Sequence, residues 1–168
     1  TTDGSVTITQ GKLEGLSLSS VDFDGSADYI DVNNDLEAPH QGSFTWSAWI
    51  KLDDGIRGSS NDICASLDGG SGTIFRVDSA GKLSAYYIAQ DGTSEYATSA
   101  DVLFANGQTV WHHVVYVNDD TANQMYLYLD GVPVTLSTSG GQTGDLSDIT
   151  NANYRNDNHF SIGAKNHN

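Results

Sequence analysis

The residues here most suited to chemistry are aspartates set in glycine-rich loops. Of the 22 acidic side chains, 19 are Asp. Short carboxylates and the carbonyls of open turns are oxygen donors, and six to eight such oxygens at about 2.3–2.6 Å make a calcium site. The same Asp-Gly pairs also serve as plain turns, and no EF-hand pattern is present. Acid–base chemistry finds less support. Glycoside hydrolysis needs two carboxyl groups facing each other across the bond, yet the only glutamates, Glu14, Glu37 and Glu95, stand far apart. Asp22 and Asp24 fall at a strand end and read as turn residues. No G-x-S-x-G, no phosphate loop ending in Lys-Ser or Lys-Thr and no zinc spacing of Cys and His occurs. Cys64, the single cysteine, lies in the β-prone run Asp62 to Ser66 and reads as a small buried apolar group, not a nucleophile.

A sugar site needs aromatic faces beside amides or carboxylates. Tyr86, Tyr87, Tyr96, Tyr126, Tyr128 and Tyr154 are the candidates, with Trp49 also available. Along a strand alternate side chains face opposite ways, so about half of these rings point outward. Outward tyrosines also stabilise cross-strand pairs, which is their plain structural use.

The elements that carry these residues are strands. Helical periodicity is nearly absent, and β-prone runs recur every 8 to 12 residues between Gly, Asp, Asn and Ser clusters. Strands are predicted at Leu16 to Phe23, Asp28 to Val32, Phe44 to Leu52, Ile63 to Leu67, Thr73 to Val77, Leu83 to Ala89 and Ser94 to Thr98. They continue at Trp111 to Val117, Gln124 to Leu129, Val132 to Leu136 and Phe160 to Gly163. Asp130-Gly131 is a hairpin turn. Ser137 to Asn158 reads as a long surface loop. Residues 1–15 read as a linker or accessory edge strand around Val6 to Ile8, and residues 16–168 as one domain.

A net charge of −15 repels phosphate backbones and anionic headgroups. Nucleic acid is therefore excluded as a partner. Membrane insertion is excluded as well, because no apolar run approaches the roughly 20 residues a span needs.

The segments VDFDGSADYIDV, FTWSAWIKL, WHHVVYVND, MYLYLDGVPV and FSIGAKN, in this order, resemble the laminin-G-like jelly rolls of the concanavalin A-like lectin/glucanase superfamily. The resemblance runs from about Leu16 to Gly163. It implies an all-β fold, a two-sheet antiparallel β-sandwich, with Phe23, Tyr29, Phe44, Trp46 and Trp111 as anchors between the sheets. His112 and His113 follow Trp111 as structural residues. The resemblance further implies a calcium ion at the rim, where Asp68 to Gly72, Gln90 to Ser94 and Asp145 to Asn156 would converge, with Asp68, Asp91, Asp148 and Asn151 as ligands. The loops Asp24 to Asp28 and Asn118 to Asp120 could serve a second, structural site. Glucanases of this fold carry an E-x-D-x-x-E strand that this chain lacks.

The implied function is a non-catalytic module for adhesion, binding a glycan or a surface protein, in an extracellular, cell-surface or virion setting. The alternatives are a structural or decoration domain of a virion or surface assembly and, further off, a divergent glycoside hydrolase. The family's final strand, which lies beside the first, has no counterpart before Asn168. Strand addition to Leu16 to Phe23, from residues beyond 168 or from a neighbouring subunit, is expected.

Overall fold

The computed structural model describes residues 7–13, 16–23, 29–32, 42–53, 59–68, 70–89, 91–106, 109–147, 149 and 159–163. They form twelve strands and no helix. In chain order these are β1 Thr7–Leu13, β2 Leu16–Asp22, β3 Ile30–Asp31, β4 Phe44–Ile50, β5 Asn61–Asp68 and β6 Ser71–Val77. There follow β7 Leu83–Ile88, β8 Ser94–Thr98, β9 His112–Asp119, β10 Gln124–Leu129, β11 Val132–Pro133 and β12 His159–Ile162. Every strand predicted from residue 16 onward is present, most within two residues of the predicted ends. The exception is β11, which ends three residues early.

Two antiparallel sheets face each other. One has the order β11-β10-β9-β4 and the other β3-β12-β5-β6-β7-β8, while β1 and β2 form a separate hairpin. Alternation explains why they stack. In β4, Phe44, Trp46, Ala48 and Ile50 turn inward while Thr45, Ser47 and Trp49 turn outward. Opposite them Cys64, Phe75, Val77, Leu83, Ala85 and Ala97 supply the inner surface of the second sheet. Tyr116 is fully buried at the centre, with Phe44 edge-on at 5.4 Å, Trp46 edge-on at 5.9 Å and Phe75 at 5.9 Å. Its hydroxyl donates to Asn118 Oδ1 at 3.3 Å, so that buried polar tip is satisfied.

Three expectations are corrected. Trp111 is not an anchor between the sheets: it is 48% exposed. In β9 the even positions Val114, Tyr116 and Asn118 are buried, so Trp111 shares the outward parity of His113. The N-terminal piece is longer than Val6 to Ile8. It forms seven-residue β1, which pairs with β2 from Thr7↔Asp22 to Leu13↔Leu16 and so supplies one partner for that strand. Third, the first part of the stretch after Ser137 is no free loop. Ala97↔Thr143 and Gln124↔Asp145 form bridges, and Leu146 is buried in the core. Between them Gly144 ties the two sheets together: its N–H donates to Tyr96 O at 2.7 Å and its carbonyl accepts from Met125 N–H at 2.7 Å. At φ +74°, with Met125 O 2.9 Å from where a Cβ would sit, this position needs glycine.

Candidate functional site

Two surfaces concern the sequence-derived candidates: the outer face of each sheet and the rim where their turns meet.

On the outer face of the six-stranded sheet, Asp62, Arg76, Ser84 and Thr98 lie in one register across β5 to β8. Arg76 Nε sits 2.8 Å from Asp62 Oδ1, a close ion contact and not an aligned hydrogen bond. Arg76 is only 8% exposed, and its guanidinium lies 5.0 Å from the Tyr86 ring centre. The Ser84 and Thr98 hydroxyls meet at 2.7 Å in full burial. Tyr86 and Tyr96 pair across β7 and β8 in a T-shape at 4.6 Å, and the Tyr96 hydroxyl bonds Ser94 Oγ at 2.8 Å. Both tyrosines therefore serve cross-strand pairing.

Tyr87 does not belong to a surface site. It is 4% exposed and sits in the core, because it is the inward member of the Tyr86-Tyr87 pair; burial, with the charge of Asp120, pushes its hydroxyl above the usual tyrosine range. Cys64 is likewise buried. Loss of hydration, then the charge of Asp62, pushes its thiol up to about 12, which keeps it protonated and unreactive.

The outer face of the four-stranded sheet differs. Its registered rows are the pair Asp119–Gln124, then Thr45–Val117–Tyr126, Ser47–Val115–Tyr128 and the pair Trp49–His113. Trp49 is 66% exposed and Tyr126 38%, while Tyr128 is half-buried. The Trp49 ring lies 5.3 Å from His113 at 37°. Sequence reasoning picked the two tyrosines here. It did not join them to Trp111 and His113, although the alternation around Val114 and Tyr116 carried that signal. At one end of this face Asp130, in the left-handed region at φ +52°, takes the N–H of His113 at 2.9 Å and lies 2.8 Å from His112 Nδ1. These bonds, His112's foremost, hold the Asp130 carboxyl below its usual range.

At the rim, the β5–β6 turn with Asp68 and the β7–β8 turn with Asp91 fall at the same end of the six-stranded sheet, because Gly72 pairs with both Leu67 and Ile88. The start of β12 joins them through His159↔Leu67. Asp91 is exposed, and its Oδ1 accepts the Thr93 N–H at 2.8 Å, which lowers its pKa. One of its oxygens is thus committed to the turn. Asp148, Asn151 and Tyr154 lie outside the described residues, as do the residues 24–28 considered for a second site. Asp119 Oδ1 accepts the amides of Thr121 and Ala122, a turn role. No group of three or more His, Cys, Asp or Glu side chains suited to a metal gathers among the described residues.

No curated protein sequence matches this chain. Its fold resembles solved receptor-binding domains of botulinum neurotoxins. The domain of the C/D mosaic serotype aligns with a TM-score of 0.70 at 17% identity, covering 97% of this chain and 37% of that one. The serotype D domain solved in complex with N-acetylneuraminic acid aligns at 0.64 and 17% identity, over 94% of this chain and 38% of that one. This chain thus spans well under half of those proteins, and at such identity the likeness is one of fold. The profile of the laminin-G-like concanavalin A-like lectin/glucanases matches residues 24–168, nearly the whole sandwich. The chain belongs to the concanavalin A-like lectin/glucanase superfamily.

Proposed function

We propose that this sandwich is a non-catalytic module that binds glycans, part of an extracellular protein that acts in adhesion at a cell or virion surface. The observation that carries the reading is a lectin/glucanase sandwich built on a sequence with almost no glutamate. Lectins and glucanases share the scaffold, and the site, not the fold, separates them. A retaining glucanase needs two carboxyl groups about 5 Å apart. Glu95 is the only glutamate among the described residues. Among neighbours of the same fold, one was solved with a bound sialic acid, which supports a sugar as ligand.

Calcium belongs to the proposal as a rim ligand organiser. Asp68 and Asp91 lie on turns at one end of the sheet, and Asp148 and Asn151 follow in the sequence between β11 and β12. An ion held at 100 times its dissociation constant adds about 2.7 kcal/mol of stability. A melting temperature that does not change with chelator, and no metal by elemental analysis, would remove calcium from the reading.

A glycan array probed with and without calcium tests the function. Binding to a defined set of glycans, with no reducing sugar released from them, is the expected result. Hydrolysis abolished by one Asp substitution would overturn the non-catalytic part, and a blank array would overturn the sugar.

A further inference from the structure

We propose that the outer face of the four-stranded sheet is a glycan platform, and that its ligand is an uncharged polysaccharide lying across β4, β9 and β10. The inference rests on the glycan-binding reading and adds to it a place and a ligand class.

The rings are the first ground. Trp49, Trp111 and Tyr126 are among the large side chains left most open to water; Trp49 and Tyr126 share one face with His113 and Tyr128, and Trp111, one residue before β9, continues the parity of His113. Two of the chain's three tryptophans stand there. Leaving such surface hydrated forgoes the burial that would otherwise stabilise the fold. Grouped exposure of this kind marks an interaction site, where singly scattered apolar residues do not. Adjacent strands are about 4.8 Å apart and alternate residues about 6.8 Å along the strand. The rings are therefore spread over more than one sugar unit. A sugar's apolar C–H face stacks on such rings, and its hydroxyls need partners between them. The Thr45 and Ser47 hydroxyls stand on the same face, and His113 and the tyrosine tips add polar atoms.

Charge selects the occupant. The rows of Thr45, Ser47 and Trp49 hold no carboxylate, in a protein of net charge −15, and the acids next to them are Asp119, paired with Gln124, and Asp130, bonded to His113. Acids of this parity begin only at the ends of the face. There Asp119 is held by the Thr121 and Ala122 amides and Asp130 by His112 and His113. An anionic ligand would meet the field of the whole molecule, and a second copy would bring two strongly negative bodies together. A basic partner would seek the carboxylates that this face lacks. An uncharged chain of hydroxyls and C–H faces meets none of these penalties.

The test titrates the protein with soluble neutral polysaccharides (a mixed-linkage glucan, a galactomannan and a xyloglucan) and follows tryptophan emission. A saturable change is expected with at least one of them. Trp49→Ala and Tyr128→Ala should each weaken that binding about tenfold or more, the size of loss typical of a buried aromatic anchor. Melting temperatures of both variants serve as the folding control. Binding unchanged in both variants but lost in Asp91→Ala would place the site at the rim and overturn this inference while leaving the glycan reading intact. Binding only to sialylated glycans would do the same. Concentration-dependent dimers abolished by Trp49→Ala would assign the face to self-association and overturn it. Binding to no glycan of any kind would overturn this inference and the proposed function together.

Discussion

The two outer faces of the sandwich use similar side chains to opposite ends. On the six-stranded sheet, Arg76 meets Asp62, Ser84 meets Thr98 and Tyr86 meets Tyr96, each across a registered strand pair. That face sets its own polar and aromatic groups against one another, although Arg76 Nε and Nη2 make no aligned hydrogen bond. On the four-stranded sheet, Trp49 and Tyr126 stand open beside small hydroxyls, and the carboxylates keep to the ends. Composition alone does not separate the two, since both carry tyrosines. What separates them is how far the neighbour in register covers a side chain. Where it covers it, an outward residue works for stability. Where a ring stays open even against its neighbour, as Trp49 does against His113, it remains available to something outside the molecule.

This contrast can be broken most sharply at Arg76. Arg76→Ala leaves Asp62 with a buried charge and should cost about 3 kcal/mol. Urea denaturation measures it, and the folded fraction should bind glycans as before. A loss under half a kcal/mol would show that the ion pair does not hold this face. Ser84→Ala strands the Thr98 hydroxyl in a buried site and should cost about 1 kcal/mol by the same measurement.

Asp130 sharpens the contrast through pH. Its folded pKa is lowered, with the hydrogen bond from His112 as the main cause. Its contribution is therefore present above the unfolded aspartate value of about 3.9 and is lost as pH falls through the folded one. Thermal melts of the native protein and Asp130→Asn should differ above about pH 5 and converge in acid. Because the carboxylate is largely exposed, the difference should be small. The smallest stability effect should come from Trp49→Ala, within about 0.5 kcal/mol. Equal melting temperatures with unequal glycan affinity would be the clearest sign that the two faces have different uses.

The strand pattern was legible because alternation and turn chemistry are local. Phe44 to Ile50 and Gln124 to Leu129 could be assigned face by face before any tertiary information. The size of the Trp111 ring suggests a core anchor, but the parity that the pleat enforces carries it outward. Tyr86 and Tyr87 were indistinguishable as candidates, since a sheet buried on one side hides every second residue and the sequence does not say which. Within the expected surface loop Ser137 to Asn158, the ties of Gly144 to Tyr96 and Met125 carry no local signal, because their partners are remote in sequence. The placing of Trp49, His113 and Tyr128 on one face depends on the register between β4, β9 and β10. Register belongs to pairs of strands and not to any one of them.

The place of β12 has a consequence for how the molecule is made. This strand lies between β3 and β5 in the six-stranded sheet, pairing Ile162 with Ile30 on one side and with Cys64 on the other. Its partners are translated long before it. During synthesis β3 and β5 each wait with a bare edge, across a gap that only a late segment can fill, and closing such long-range pairs is slow. An unpaired edge in that interval is a template for the wrong neighbour, including the same strand of another nascent chain. The yield of folded protein should thus depend on the rate of elongation and on local crowding more than on the stability finally reached.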